Sequence, residues 1–191
     1  DRGFGHFTTR QNIQYNWIEL SEIANLLREL SSVGLHAIQT SGKATRNITA
    51  DPLSGLTEGE IADARPYCEL IRRWFNLHPE FSWLPGKFKI AVNGAKLDET
   101  ALRVHDLGLR LVRNNEGELG FTVYVGGGLG AAAMVAAETA SFVPVEDILS
   151  YLESAMRIYN LKGRRDHLKK LRIKFLVREL GAKEYSRLVD E

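Results

Sequence analysis

Apolar and polar positions alternate along residues 4–17, FGHFTTRQNIQYNW, with Phe7, Thr9, Gln11, Ile13, Tyr15 and Trp17 in step. Alternation rich in β-branched and aromatic residues predicts a strand. The period changes over residues 21–33, where Ile23, Leu26, Leu27 and Leu30 recur at helical spacing. Ser21 is placed to cap the start of that helix and Gly34 its end. Residues 35–39 read as a second short strand. Residues 40–57 break the pattern, and Ser41-Gly42, Asp51-Pro52 and Ser54-Gly55 predict a loop.

Pro66 fits the first turn of a helix running to about residue 77, with Asp63 near its start. Tyr67, Leu70, Ile71, Trp74 and Phe75 form its inward face. Residues 87–93, KFKIAVN, alternate and predict a strand. Residues 108–125 predict a hairpin turning at Asn114-Asn115-Glu116-Gly117, and its second arm runs into Gly126-Gly127-Gly128-Leu129-Gly130. Pro144 opens a helix over about residues 145–160, with Ile148, Leu149, Leu152, Met156 and either Ile158 or Tyr159 inward, and Gly163 breaks it. A last helix covers about residues 167–180 and stops at Gly181. The order strand, helix, strand, loop, helix, strands, helices predicts an α+β layer structure rather than strict βαβ winding.

A length of 191 residues fits one domain, or two small ones. Lys plus Arg is 25 against 24 acids, a net charge of +1, which argues against a wholesale polyanion binder. No signal peptide is visible, and no apolar run approaches the roughly 18 residues of a membrane helix, so no membrane partner is expected. Cys68 is the single cysteine. That excludes a disulfide framework, a thiolate zinc cluster and a self-contained iron–sulfur site, which takes about four. A reduced, cytoplasmic setting is the simplest expectation. The chain starts Asp1-Arg2-Gly3 and reads as ordered almost at once, as expected of a piece of something longer.

The candidate chemistry is cationic. Arg10 lies in a strand, Arg46 in a loop, and Lys87 and Lys89 share one face of a strand. Two lysines on one face repel each other unless the face is solvated or an anion sits between them. Both readings stand on spacing alone. Gly126–Gly130 follows a strand as phosphate loops do, but it lacks the Lys-Ser/Thr of a P-loop and the spacing of a dinucleotide fingerprint. A tight turn with close backbone approach is the plainer reading. The basic stretch 157–178 has only Asp166 as a local counter-charge in its cationic core and no aromatic stacking platform, so nucleic acid is not expected. His6, His36, His78, His105 and His167 show no metal spacing.

Four segments carry a resemblance. Gly5 to Trp17 (GHFTTRQNIQYNW), Thr45 to Asn47 (TRN), Leu84 to Lys89 (L-P-x-K-F-K) and Gly126 to Gly130 (GGGLG) resemble the sulfite/nitrite reductase haemoprotein family. The stretch from Phe142 to Gly181 resembles it too, so the likeness spans nearly the whole chain in order.

The resemblance implies sirohaem, an eight-carboxylate macrocycle, bridged by a cysteine thiolate to a [4Fe–4S] cluster. It implies reduction of sulfite to sulfide or of nitrite to ammonia, with electrons from ferredoxin or a flavoprotein. By similarity Arg46, Lys87 and Lys89 hold the substrate oxyanion and line the cofactor. Thr8, Arg10 and Gln14 bind sirohaem. Lys89 favours sulfite, since nitrite reductases usually carry asparagine there. The implied fold is α+β, with mixed and antiparallel sheets flanked by helices, forming half of a pseudo-twofold architecture. Residues 1–39 correspond to half of a ferredoxin-like repeat, and residues 40–191 to the sirohaem- and substrate-binding domain.

The chain departs from the family at Gly86 and Ala131, where arginine is usual, and lacks the cluster cysteines in C-x5-C and C-x3-C pairs. Alone it is expected to be inactive. A non-catalytic module that binds sirohaem or an acidic partner is the alternative. An open strand edge around residues 1–39 predicts self-association as a dimer.

Overall fold

The computed structural model describes residues 3–191; Asp1 and Arg2 lie outside the described residues. The chain divides into two compact units, one ending at Thr40 and the other covering Ser41–Glu191.

In the first unit the alternating stretch forms two short antiparallel strands instead of one. β1 (Gly5–Phe7) pairs with β2 (Ile13–Tyr15), with His6 opposite Gln14. Gln11 turns the chain with φ 54 between them. Alternation is the same on both arms, so the period does not reveal the bend. Phe4 packs edge-on to Trp17 with ring centroids 5.9 Å apart. α1 (Ile23–Ser32) follows a 3-10 turn at Leu20–Glu22, so the helix starts later than Ser21. Gly34 closes it with φ 76, and the Leu35 amide donates back to the Leu30 carbonyl. Residues 35–39 form no strand. None of the described residues of this unit is buried; Phe7 is 81% and Val33 71% exposed.

The second unit is an α+β layer, as the element order predicts. Four strands lie in the order β3 (Ile90–Asn93), β4 (Leu107–Arg113), β5 (Leu119–Val125) and β6 (Ala137–Pro144). β3 runs parallel to β4, and the other pairs are antiparallel. The β4–β5 hairpin turns at Asn114 to Gly117, where the Asn114 side chain accepts the Glu116 and Glu118 amides. The predicted strand at 87–93 is regular only from Ile90; Phe88 makes an isolated parallel bridge with Thr45. A second bridge, Thr49 to Ala91, lays the predicted loop along the β3 edge. β6 was not anticipated, because Ala-rich residues 131–137 blur its start.

Helices cover the sheet. α2 (Arg65–Phe75) buries Ile71 and Phe75, while Leu70 and Trp74 stay 42% exposed instead of turning inward. α3 (Ile148–Lys162) buries Ile148, Leu152, Ala155, Met156 and Tyr159 along one stripe. The final predicted helix splits into a 3-10 turn at Leu168–Lys170 and α4 (Ile173–Leu180). Gly181 ends α4 and α5 (Ala182–Asp190) follows, burying Tyr185 and Val189. These side chains join Phe88, Leu109, Phe121 and Val123 in one core, each large apolar one contributing about 1.5–3 kcal/mol on burial. No helix among the described residues is long and apolar enough to cross a membrane.

Candidate anion site

The chain crossing beside β3 brings the predicted cations of the second unit together. The Arg46 amide donates to the Phe88 carbonyl at 2.8 Å, which sets Arg46 beside the residue flanked by Lys87 and Lys89. The pleat keeps Phe88 and Ile90 in the core, leaves Lys87 exposed and leaves Lys89 half-buried. The Arg46 guanidinium donates to the Gly42 carbonyl at 3.1 Å. Burial, then repulsion from Arg172, lowers its pKa.

Asp106, fully buried at the head of β4, is the hub of this region. Its carboxylate accepts the Lys89 amide at 2.8 Å. It also accepts Nε and Nη2 of Arg172 at 2.7 Å each. Burial pushes its pKa up, against the pull of Arg172 and Lys89. The Asp106 carbonyl accepts the Gly126 amide at 2.9 Å, so the same residue anchors the glycine run.

The glycine run begins an eleven-position excursion, residues 126–136, closed by reciprocal amide bonds between Gly128 and Met134. Arg103 pins its far end through the Ala136 carbonyl at 3.0 Å. Lys174, 4% exposed, pins its middle through the Leu129 and Ala132 carbonyls. Desolvation lowers the Lys174 pKa. Gly127 is required by close approach: a Cβ there would lie 2.4 Å from the Arg103 carbonyl and 2.5 Å from that of His105. The plainer reading of the run, a tight turn with backbone against backbone, fits this geometry.

Gly86, where the resemblance implies arginine, is buried against Leu171, whose Cβ would be 3.0 Å from an added Cβ. Much of the basic stretch is internally paired. Arg157 bridges Glu80 and Glu153, Arg164 pairs with Asp166, and Arg165 binds Asn160 and the Trp83 carbonyl.

Thr8, Arg10 and Gln14 belong to the first unit. Thr8 donates its amide to Asn12 and accepts the Arg10 amide on Oγ1 at 3.3 Å; Gln14 donates to Asn16 at 3.1 Å. Sequence reasoning did not single out Asp106, Arg172 or Lys174 for this site. Arg172 and Lys174 were visible only as members of a basic run, and Asp106 carries no local signal.

Among the described residues, the ammonium and guanidinium groups around Asp106 are of the kind that fits a polycarboxylate such as sirohaem. They do not fit an iron–sulfur cluster. Cys68 is the only cysteine, and burial pushes its thiol up to about 12. Among the described residues no group of three or more His, Cys, Asp or Glu is arranged to hold a metal ion.

Residues 41–191 match the family described as the nitrite and sulphite reductase 4Fe-4S domain. The chain is 31% identical over 191 residues to sulfite reductase [ferredoxin] 1 of Mycolicibacterium paratuberculosis, covering all of this chain and 34% of that protein. It is 29% identical over 194 residues to the chloroplastic ferredoxin–nitrite reductase of Arabidopsis thaliana, covering 99% and 33%. The solved structure of the Mycobacterium tuberculosis NirA protein superposes with a TM-score of 0.90 at 29% identity, over 97% of this chain and 34% of that one. The chain therefore spans about a third of the length of these curated relatives. With its matched family covering most of its length, the chain belongs to the nitrite and sulphite reductase 4Fe-4S domain family.

Proposed function

We propose that this chain supplies the cationic wall of a sirohaem-dependent sulfite reductase, in which Arg46, Lys87 and Lys89 hold the substrate oxyanion. The observation that carries the reading is the main-chain bond from Arg46 to Phe88, which sets the Arg46 backbone beside the segment that bears Lys87 and Lys89. Sirohaem, when bound, would pass electrons from the donor to the anion. The chain's own residues do the rest. The cations neutralise the oxyanion and draw charge onto its oxygens. Lys87 and Lys89 hold protons beside the oxygens that leave as water. Thr8, Arg10 and Gln14 are the proposed partners of sirohaem carboxylates from the first unit, the ferredoxin-like half-repeat of residues 1–39.

The two relatives named for ferredoxin support ferredoxin as donor over a flavoprotein. The [4Fe–4S] cluster is held by residues other than those of this chain, since Cys68 does not fit a ligand. A cytoplasmic, membrane-free and nucleic-acid-free setting goes with this reading, as does self-association of the isolated chain. Lys89 favours sulfite over nitrite, because a doubly charged oxyanion gains more from a further cation.

Steady-state reduction of both anions by the loaded protein that carries this chain tests the reading. Higher kcat/KM for sulfite, and its loss in Lys89→Ala, are expected. Higher kcat/KM for nitrite with no loss in Lys89→Ala overturns the sulfite assignment, and no reduction of either anion overturns the catalytic one in favour of a binding module.

A further inference from the structure

We infer that Tyr159 is a positioning residue for Lys87, and that the end of α3 sets the path of the lysine-bearing segment through its main chain. This inference rests on the reading of Lys87 and Lys89 as residues that hold the oxyanion.

Three side chains at the end of α3 and just past it donate to carbonyls of the segment that leads into Lys87. Asn160 Nδ2 donates to Glu80 at 2.9 Å, Arg165 Nη1 to Trp83 at 3.2 Å, and Tyr159 Oη to Gly86 at 3.4 Å. The acceptors recur at every third residue and end on the one before Lys87. Each acceptor is main chain, so the grip fixes the course of the backbone itself.

Tyr159 stands where the ties converge. Its side chain is fully buried, with its ring centroid 5.4 Å from that of Phe88. One residue thus holds Gly86 by its hydroxyl and Phe88 by its ring, the two neighbours of Lys87 in the chain. The same hydroxyl makes its closer bond, at 2.8 Å, to the Leu171 carbonyl. Leu171 precedes Arg172, whose guanidinium meets the Asp106 carboxylate, and that carboxylate accepts the Lys89 amide. The lysine segment is therefore tied at both ends, at Gly86 by Tyr159 and at Lys89 by Asp106. Burial, with Asp106 adding, pushes the Tyr159 pKa up, so the hydroxyl keeps its proton and stays a donor near neutral pH. Gly86 leaves room for this approach, since a Cβ there would lie 3.3 Å from Tyr159 Oη and 3.0 Å from Leu171 Cβ. Lys87 is exposed, so its ammonium takes its place from the backbone beneath it. A small displacement of that backbone costs a bound anion its alignment.

The test uses the loaded protein that carries this chain, titrated with sulfite and followed by the sirohaem absorbance. Tyr159→Phe keeps the ring against Phe88 and removes only the hydroxyl. Sulfite binding is expected to weaken about threefold to tenfold, the scale of one lost hydrogen bond. In a Lys87→Ala background the same substitution is expected to add nothing, because the group it positions is gone. Equal weakening in both backgrounds makes Tyr159 an ordinary structural residue and overturns the inference, as does unchanged binding in Tyr159→Phe.

Amide exchange gives a readout that needs no turnover. The Phe88 amide donates to the Ala44 carbonyl at 3.1 Å and the Lys89 amide to Asp106. Both are expected to exchange faster in Tyr159→Phe while β5 is unchanged; unchanged exchange at both overturns the positioning role. Should Tyr159→Phe not fold, Gly86→Ala crowds the same hydroxyl and carries the same expected dependence on Lys87. Full sulfite binding in Lys87→Ala alone overturns the anion-site reading itself, an outcome distinct from unchanged binding in Tyr159→Phe.

Discussion

The Lys174 ammonium donates to the Ala132 carbonyl at 2.6 Å, from a side chain almost wholly out of water. A second donation to the Leu129 carbonyl makes this lysine a pin through the glycine excursion. Lys174→Met keeps the length of the stem and removes the pin. Melting is expected to lose about 2 kcal/mol of stability, the scale of hydrogen bonds to a charged group. Exchange of the Gly128 and Met134 amides is expected to speed up more than that of β4. Unchanged exchange would show that the Asp106 and Arg103 anchors hold the excursion without Lys174.

Gly127→Ala tests the close approach at the same excursion. Both neighbours of the added methyl are backbone carbonyls, which cannot swing aside as a side chain does. A cost of about 1–3 kcal/mol, or more, is expected from such overpacking. Gly130→Ala is a different case: nothing lies within 4 Å of its Cβ, and only its φ of 97 resists the change. Thermal melts of the two variants rank the steric cost against the conformational one.

Cys68 is expected to be inert in the folded chain. Burial pushes its thiol up to about 12, with Asp63 adding to the shift, so the nucleophilic thiolate is scarce near neutral pH. Iodoacetamide at pH 8 should label denatured chain and leave native chain unlabelled by mass spectrometry. Rapid native labelling would mean that α2 opens.

Glu69 is held down to about 2 from a usual 4.5 by hydrogen bonds from Arg72 and Arg73 on its own helix. Its folded pKa is depressed, so the stabilisation is present above pH 4.5 and is lost as pH falls through about 2. The side chain is 44% exposed, so solvent screens the pair. Each bond is expected to contribute about 0.3–0.5 kcal/mol, as exposed helix pairs do. Glu69→Gln should flatten the stability profile in that window, and 1 M salt should do so in part. An identical acid profile in the variant would remove Glu69 from the account.

The first unit leaves Phe4, Phe7, Trp17 and Leu20 more than half exposed and offers a three-residue hairpin with open edges. A second copy of the chain is the proposed cover, and light scattering at micromolar concentration is expected to give a dimer mass. A monomer mass overturns it.

Much of the second unit was legible in the sequence because local signals were strong. Pro66, Pro144 and Gly163 bracket α2 and α3, and Asn114 to Gly117 marks the β4–β5 turn. β6 and α5 were missed where alanine and charged residues dilute the period. Leu70 and Trp74 were misplaced because a stripe wider than the contact looks the same as one that fits it. At the site, Lys87 and Lys89 could be read from period two, since Phe88 and Ile90 between and beyond them are apolar. Asp106 and Arg172 could not, because their pairing joins residues far apart in sequence and neither has a partner within a helical turn.

The bridge between Thr45 and Phe88 has a consequence for the order in which the protein takes shape. It closes a span of roughly forty residues, and the entropy of such closure must be met before any contact across it can reward the chain. Arg46 reaches the lysines only through that closure. Arg172 arrives from still further along, by way of Asp106. Assembly of the proposed anion site cannot precede these long-range closures, and a chain caught short of them carries the same cations strung out along its length.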